Sequence, residues 1–172
     1  MATLFLICGL PGAGKTTLAK QLEVSRSALR LSPDEWIARI IKNASDTVEL
    51  DRLRDPVESV QWDVGQKALS LGVSVILENG FWARNERAMY QSRARALGAG
   101  VELHFLDVPK DELWNRLNQR NSNRPDGSFV VTKEQLDSWW NSFDPPTADE
   151  LNTYDNGKAE QAAKQPLTNH LR

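Results

Sequence analysis

The chain has 172 residues, of which 40% are hydrophobic and 26% charged, and its formal net charge is -2. This length suits one domain with its own core, and the charge gives no field for non-specific binding of nucleic acid. The single cysteine, Cys8, excludes a disulfide framework and a cysteine cluster for metal. The apolar first ten residues lack a charged leader and are too short to span a membrane, so we expect a cytoplasmic protein.

Apolar runs alternate with helical patterns along the chain. Buried strands are predicted at residues 3–8, 28–32, 73–79 and 101–108, and a short edge strand near 151–154. Helices are predicted at residues 15–25, 33–43, 56–72, 83–98, 110–121 and 132–143, the last with Thr132 as its cap. The alternation predicts an α/β fold with a parallel sheet of about five strands and helices on both faces.

Residues 9–16 read GLPGAGKT and fit the pattern G-x-x-x-x-G-K-[ST]. Glycines let the backbone curl so that its N–H groups point at phosphate oxygens, and the following helix adds its positive N-terminal end. Lys15 supplies a cation for the β- and γ-phosphates, and the Thr16 hydroxyl suits Mg²⁺. The residues predicted to bind the nucleotide are Gly9, Leu10, Pro11, Gly12, Ala13, Gly14, Lys15, Thr16 and Thr17.

A glycine-rich turn before a helix that happens to begin with lysine is the alternative interpretation of this stretch. The buried strand predicted before it and the amphipathic helix predicted after it favour phosphate binding. The sequence therefore predicts binding of a nucleoside triphosphate with Mg²⁺.

Asp34, in the stretch LSPDEW, follows the second predicted strand. Strand ends of a doubly wound sheet share one crevice, so this carboxylate is expected to face the phosphates. It could accept the proton of an attacking hydroxyl, as in a kinase. Acidic residues also favour the first turn of a helix, which is the alternative role. The chain contains no guanine-reading N-K-x-D motif, which argues against a GTPase.

Five stretches occur in the order FLICGLPGAGKTTLAKQL, LSPDEW, VILENGFW, RLNQRNSNRP and FDPPTADE. Together they resemble the small P-loop kinases of the zeta-toxin, chloramphenicol phosphotransferase and polynucleotide 5′-kinase-like group, and more narrowly its uncharacterised AAA family ATPase members. The resemblance covers roughly residues 3–150. It implies a three-layer P-loop NTPase fold with a kinase domain over 1–155, a small helical lid at about 116–131 and a C-terminal tail over 156–172.

The resemblance implies roles for two carboxylates. Asp34 matches the acid that activates the acceptor. Glu78, at the end of VILEN, would orient Mg²⁺ or contact the acceptor, although relatives more often have Asp at this position. Asp107 also ends a predicted strand and is a weaker candidate for assisting the metal.

Three arginines repeat at helical spacing toward a Pro-Gly loop: Arg116, Arg120 and Arg124. Arg120 and Arg124 match the lid arginines of the resembled kinases, which stabilise the transferring phosphoryl group and help to exclude water. Arg116 is the weaker candidate. The alternative is a solvated basic helix face.

The segment GFWARNER, residues 80–87, follows the third long predicted strand, where an acceptor would bind. Arg84 and Arg87 could bind an anionic group, while Phe81 or Trp82 could stack on a ring and Trp36 could line the same pocket. The alternative is that these aromatic residues belong to the core and the arginines to the surface.

The expected function is transfer of the γ-phosphate of Mg-ATP to a hydroxyl of a small-molecule acceptor. A polynucleotide 5′-hydroxyl kinase is the first alternative, and a regulatory protein that binds or slowly hydrolyses ATP is the second. No membrane partner is expected. The sequence leaves open the acceptor, the oligomeric state and the preference for ATP over GTP.

Overall fold

Four parallel strands form the centre of the fold in the computed structural model, which describes residues 1–41, 47–123 and 130–157. The strands are β1 (Thr3–Cys8), β2 (Leu29–Leu31), β3 (Val75–Gly80) and β4 (Gly100–Phe105). Their order is β2-β3-β1-β4, and Leu4 of β1 lies opposite Val75 and Val101. Every residue of β1 after Thr3 is buried, which explains the unbroken apolar run in the sequence.

Helices cover both faces of this sheet. The described residues form α1 (Lys15–Arg26), α2 (Pro33–Ile40), α3 (Thr47–Ser70), α4 (Arg84–Ala96), α5 (Lys110–Asn123), α6 (Lys133–Ser142) and α7 (Ala148–Leu151). Helix α1 packs on one face through Ala19 and Leu22, whereas α3 and α4 pack on the other through Trp62 and Tyr90. The predicted three-layer α/β class is confirmed. Among the helices in the described ranges, none has the length and apolar character needed to cross a membrane.

The fifth strand predicted near residues 151–154 is wrong. This part of the chain instead contains the short helix α7 and a turn. The hydroxyl of Thr147 accepts a hydrogen bond from the backbone N–H of Glu150 at 3.3 Å, which caps the first turn of the helix. The capped turn gives this segment a helical alternative to strand pairing. Leu151 is therefore the last residue of a helix instead of part of a strand.

Two side chains cover the outer edge of β4, where a fifth strand would pair. The Asp155 carboxylate accepts a hydrogen bond from the Val101 N–H at 2.7 Å. The Asn156 amide accepts from the Leu103 N–H at 3.2 Å and donates to the Leu103 carbonyl at 2.8 Å. These bonds satisfy backbone groups that an edge strand otherwise leaves to water. The predicted boundary between domain and tail, at residue 156, therefore separates two neighbouring residues that both bind the edge of β4.

Helix α3 begins at Thr47 rather than at residue 56, the predicted start. Pro56 lies inside the helix, where it lacks an N–H for the hydrogen-bond ladder. Leu50 and Val57 both pack against Ile37 of α2, so tertiary contacts stabilise the turns on either side of the proline. A proline more often begins a helix than interrupts one, which explains the error.

Helices α5 and α6 pack over the segment that joins β1 to α1. Their buried cluster consists of Leu10, Ala13, Leu113, Leu117, Val131 and Leu136. The predicted cap of α6 is confirmed, because the Thr132 hydroxyl accepts from the Gln135 N–H at 3.2 Å and the Gln135 side chain accepts from the Thr132 N–H at 2.9 Å. The glycine-rich loop is therefore supported by packed helices on its outer side.

Candidate functional site

The loop between β1 and α1 is shaped to hold an anion. Gly12 and Gly14 adopt left-handed conformations, with φ of 85° and 100°. A Cβ atom on Gly12 would approach Leu117 Cγ at 3.0 Å, so a side chain there would disturb the packing of α5. Within the described ranges, the backbone N–H groups of Gly12, Gly14, Lys15, Thr16 and Thr17 have no backbone acceptor. Together with the positive end of α1, they form a site for phosphate oxygens.

Lys15 lies in the first turn of α1 and bends back over this loop. Its Nζ donates a hydrogen bond to the Leu10 carbonyl at 3.1 Å. Burial lowers the pKa of Lys15 to about 8, and the carboxylates of Asp34 and Glu78 oppose that shift. The ammonium group is thus bonded to the phosphate loop and within electrostatic reach of two of the carboxylates named from the sequence.

Thr16 fits the role of a Mg²⁺ ligand, because it is exposed in the first turn of α1 and offers a hydroxyl oxygen. Glu78 is paired differently, since its Oε1 accepts from Arg30 Nη1 at 2.6 Å. The same guanidinium also binds Glu23 and Glu35. The described residues contain no cluster of three or more His, Cys, Asp or Glu side chains that could hold a metal ion. A cation would therefore rely on Thr16, phosphate oxygens and water, and the pairing with Arg30 argues against direct coordination by Glu78.

Asp34 is exposed in the first turn of α2 and pairs with an arginine that sequence reasoning missed. Arg54 Nη2 donates to Asp34 Oδ1 at 2.9 Å. Arg54 Nη1 also lies 3.7 Å from Glu58 Oε1, one helical turn further along α3. The spacing of Arg54 and Glu58 was the available signal, but the predicted helix began after Arg54.

Arg120 is half-buried near the C-terminal end of α5. Burial lowers the pKa of its guanidinium, and the carboxylate of Asp34 opposes that shift. Arg120 is thus within electrostatic reach of Asp34. Arg116 is exposed and pairs with Glu112 at 2.8 Å, as on a solvated helix face. Arg124, and residues 124–129 of the predicted lid, lie outside the described residues.

Arg87 differs from the expectation that it binds an acceptor. It is fully buried. Its Nε and Nη2 donate to the two carboxylate oxygens of Glu150 at 2.6 and 2.8 Å. Its Nη1 donates to the carbonyls of Phe81 and Asp144 at 3.0 and 2.8 Å. All three guanidinium nitrogens are therefore engaged in tying α4 to the segment before and within α7.

The other residues predicted to contact an acceptor are spread over the region. Arg84 is exposed, with its Nε 4.0 Å from Glu150. Trp82 is half-buried, and its ring centroid lies 6.0 Å from that of Trp139. Trp36 is half-buried and packs against two hydrophobic clusters. One is the main core under α3, and the other joins α2 to α3. Of these three, Trp36 lies on the same helix as Asp34, whereas Trp82 packs toward α6.

A cavity of about 180 Å³ opens beside the phosphate loop. Its lining is mostly apolar and includes Leu10, Phe105, Trp140 and Phe143. Asp107 also lines it, at the end of β4. This position places Asp107 on the β4 side of the loop rather than beside Glu78, which makes it a weaker candidate for assisting the metal.

The model of the AAA domain family (AAA_33) matches residues 4–146. A structure from Chloroflexus aurantiacus J-10-fl, to which kinase activity is ascribed, is similar with a TM-score of 0.68 and 20% identity, over 85% of this chain and 82% of that one. A sugar kinase from Janibacter sp. HTCC2649 gives a TM-score of 0.59 and 19% identity, over 94% and 92% of the two chains. No curated protein matches the sequence.

A chain of the Pnkp1/Rnl/Hen1 RNA repair complex is also similar, with a TM-score of 0.61 and 15% identity. The likeness covers 99% of this chain and 52% of that one, so the present chain spans about half of its length. These comparisons confirm the α/β P-loop NTPase fold, with four strands instead of five. The narrower resemblance to the zeta-toxin group stays a prediction.

Proposed function

We propose that this chain, which belongs to the AAA domain family, is an ATP-dependent phosphotransferase that moves the γ-phosphate of Mg-ATP to a hydroxyl group of a small-molecule acceptor. The proposal rests mainly on the position of Asp34. Burial lowers the pKa of both Lys15 and Arg120, and the Asp34 carboxylate opposes both shifts. Phosphoryl transfer requires a base, a phosphate-binding cation and an arginine near one another, and these electrostatic effects support the assignment of Asp34, Lys15 and Arg120 to those roles.

In this mechanism Asp34 accepts the proton of the attacking hydroxyl as its oxygen bonds to phosphorus and the bond to ADP breaks. Lys15 and the N–H groups of the phosphate loop hold the β- and γ-phosphates. Arg120 and Arg124 stabilise the charge on the transferring group and belong to a lid at about 116–131 within a catalytic domain over 1–155. Bound Mg²⁺, held by Thr16, would neutralise charge on the phosphate oxygens.

Arg54 has a positioning role in this proposal. Its hydrogen bond to Asp34 Oδ1 holds the carboxylate at the start of α2. Arg30 pairs with Glu78 in the same way, at 2.6 Å. Both arginines hold a carboxylate through a direct ion pair, so each orients a group rather than reacting itself.

A small-molecule acceptor is favoured over a polynucleotide. The carboxylates of Glu86, Asp55 and Asp34 all raise the pKa of Glu58, after the larger effect of its burial. These three carboxylates therefore add negative charge around Glu58, which the Arg54 guanidinium partly offsets. A nucleic acid would bring further phosphates against these carboxylates, at an electrostatic cost. The likeness to an RNA repair chain keeps a 5′-hydroxyl oligonucleotide in the assay as the competing acceptor.

The proposal is tested by ADP release from Mg-ATP by the purified protein, alone and with acceptor pools of nucleosides, sugars, antibiotics and 5′-hydroxyl oligonucleotides. We expect one pool to raise the rate well above that of the protein alone. Lys15→Ala should abolish this stimulation, whereas Lys20→Ala, an exposed lysine of the same helix, should retain it. Stimulation that survives in Lys15→Ala would defeat the proposal, and tight ATP binding without any transfer would favour the regulatory alternative.

A further inference from the structure

A row of polar side chains runs inward along α3 from the candidate base. Arg54, Glu58, Gln61 and Trp62 follow one another at spacings of four, three and one residues, so they lie on one side of the helix. We call these four residues the α3 polar row. Its outer end is bonded to Asp34 through Arg54, and its inner end contacts α4, because the ring centroids of Trp62 and Tyr90 lie 4.8 Å apart.

Exposure falls steadily along this row. The side chains are 66% exposed at Asp34, 37% at Arg54 and 17% at Glu58, and Gln61 is completely buried. The site is thus open at the candidate base and closed toward the sheet. From residue 54 to residue 61 the helix rises about 10 Å, which is the length of this part of the row.

The inner end carries polar atoms that lack partners. In the part of the chain that the structure describes, both amide atoms of Gln61 are buried without a hydrogen bond, and so is the Trp62 indole nitrogen. Asn79 Oδ1 is also buried without a hydrogen bond. Asn79 comes two residues after Leu77 on β3, so both side chains lie on the sheet face that α3 covers. Buried donors and acceptors without partners are costly to a fold, and they often mark a ligand site.

We propose that the α3 polar row is the acceptor-binding surface, and that it recognises an uncharged small molecule with several hydroxyl groups, of the sugar or polyol class. This inference rests on the proposed function, because the reacting hydroxyl must lie at Asp34. The other hydroxyl groups extend inward and bond to Glu58, the Gln61 amide and the Trp62 N–H. Hydroxyl groups both donate and accept, so they match an amide and an indole without leaving a charge buried.

The charges around the row disfavour an anionic acceptor. Glu86, Asp55 and Asp34 all act electrostatically on Glu58, and Arg54 is the cation paired with Asp34 and Glu58, at 2.9 and 3.7 Å. Two arginines that could have bound an anion are engaged elsewhere, with Arg87 held by Glu150 and Arg30 held by three glutamates, as described above. A phosphorylated or carboxylated acceptor would meet like charge in a half-buried site.

A cationic acceptor fits less well than a neutral one. Burial raises the pKa of Glu58 to about 7, so this carboxyl group carries a proton part of the time near neutral pH. A protonated carboxyl group donates a hydrogen bond to a hydroxyl oxygen but gives no charge to bind an ammonium group. Arg54, 3.7 Å from Glu58, would also repel a cation.

The first experiment measures transfer of the γ-phosphate from Mg-ATP to three matched sets of acceptors. These are neutral hexoses, hexitols and inositol, their phosphorylated or carboxylated counterparts, and their amino counterparts. We expect the neutral set to raise ADP release at least tenfold and the anionic set to leave it at the rate of the protein alone. Transfer only to anionic or amino compounds, or only to the nucleosides or antibiotics of the earlier assay, overturns this inference and leaves the proposed function intact, whereas γ-phosphate transfer to no acceptor in either assay contradicts both.

The second experiment compares Gln61→Met with Gln66→Met, a substitution at a partly exposed glutamine of the same helix. Gln61→Met should raise the KM for the neutral acceptor about tenfold, because two hydrogen bonds are lost. The KM for ATP should change less than twofold, and the melting temperature should not fall, because the buried amide is unsatisfied in the free protein. A lower melting temperature with an unchanged acceptor KM would assign Gln61 a purely structural role and overturn the inference.

Discussion

Arg87 and Glu150 form a buried bidentate ion pair between α4 and α7, with N···O distances of 2.6 and 2.8 Å. Removing one partner leaves the other charge buried without compensation. We therefore expect Arg87→Met to lower the free energy of unfolding by about 3–5 kcal/mol, measured by chemical denaturation. Arg84→Met, at the exposed neighbour, should cost far less.

The double variant Arg87→Met/Glu150→Gln separates a buried charge from a general packing defect. It should be more stable than Arg87→Met alone, because no full charge then remains in the interior. If the two substitutions are additive in their destabilising effect, the ion pair does not couple these helices as the structure implies.

Lys15 should take up a proton when ATP binds under alkaline conditions. Burial holds its pKa at about 8 in the free protein, so the amine is largely neutral at about pH 9. A bound triphosphate favours the ammonium form and raises that pKa. Calorimetry in buffers of different ionisation enthalpy should therefore detect uptake of up to one proton at about pH 9 and much less at about pH 6.5. Equal uptake at both values, or unchanged uptake in Lys15→Met, would contradict this assignment.

Asp34→Asn should separate binding from chemistry. The amide preserves the shape of the side chain but cannot accept the proton of the acceptor, so phosphate transfer should fall by about a hundredfold or more. The affinity for Mg-ATP should remain, because the phosphate loop is unchanged. Single-turnover kinetics and nucleotide titration measure the two effects separately. Asp51→Asn, at an exposed position of α3, is the matched control, and an unchanged transfer rate in Asp34→Asn would remove this residue from the mechanism.

Arg54 should act through Asp34. Arg54→Met loses the 2.9 Å hydrogen bond that holds the carboxylate, so we expect kcat to fall by about tenfold while the affinity for Mg-ATP remains. Arg54→Lys keeps the charge and should restore part of the lost kcat. A fall in kcat of the same size in the Asp34→Asn background would show that Arg54 does not act through Asp34.

Glu58 should make the stability of the protein depend on pH. Burial raises its pKa to about 7 from its usual value of 4.5, so the folded state keeps a proton that the unfolded chain releases. The stabilisation from this proton is complete below 4.5 and is lost as the pH rises through 7. Glu58→Gln does not titrate, so its melting temperature relative to the wild type should increase from about pH 5 to pH 8. Glu134→Gln, at an exposed position, should show a constant difference.

The sequence predicts the phosphate loop well because that loop is a local structure. Its glycines, Lys15 and Thr16 are consecutive or nearly so, and their conformations depend on near neighbours. The strands β1 and β3 are predicted for a similar reason, since burial on both faces requires a nearly unbroken apolar run. Strand β4 instead has buried Val101 and Leu103 alternating with half-buried Glu102 and His104, which is a period-two strand pattern. The order and spacing of these elements are sufficient to indicate the class of fold.

Pairings between distant residues could not be read in the same way. Arg87 and Glu150 are 63 positions apart, and Arg54 and Asp34 are 20 apart. In a sequence, an arginine near aromatic residues looks the same whether it binds a ligand or forms a buried ion pair. Only the burial of Arg87 in the structure assigns it to the ion pair. Pro56 misled the prediction of α3 because the contacts that compensate for it come from α2.

The cover on β4 by Asp155 and Asn156 has a consequence for association between molecules. A four-stranded sheet that ends in open N–H and C=O groups is a template on which a strand of another chain can add. Here a carboxylate and an amide occupy three of those groups at 2.7, 3.2 and 2.8 Å. A side chain satisfies these backbone groups but offers no new row of N–H and C=O groups for pairing. A strand of another molecule therefore cannot extend the sheet at these positions.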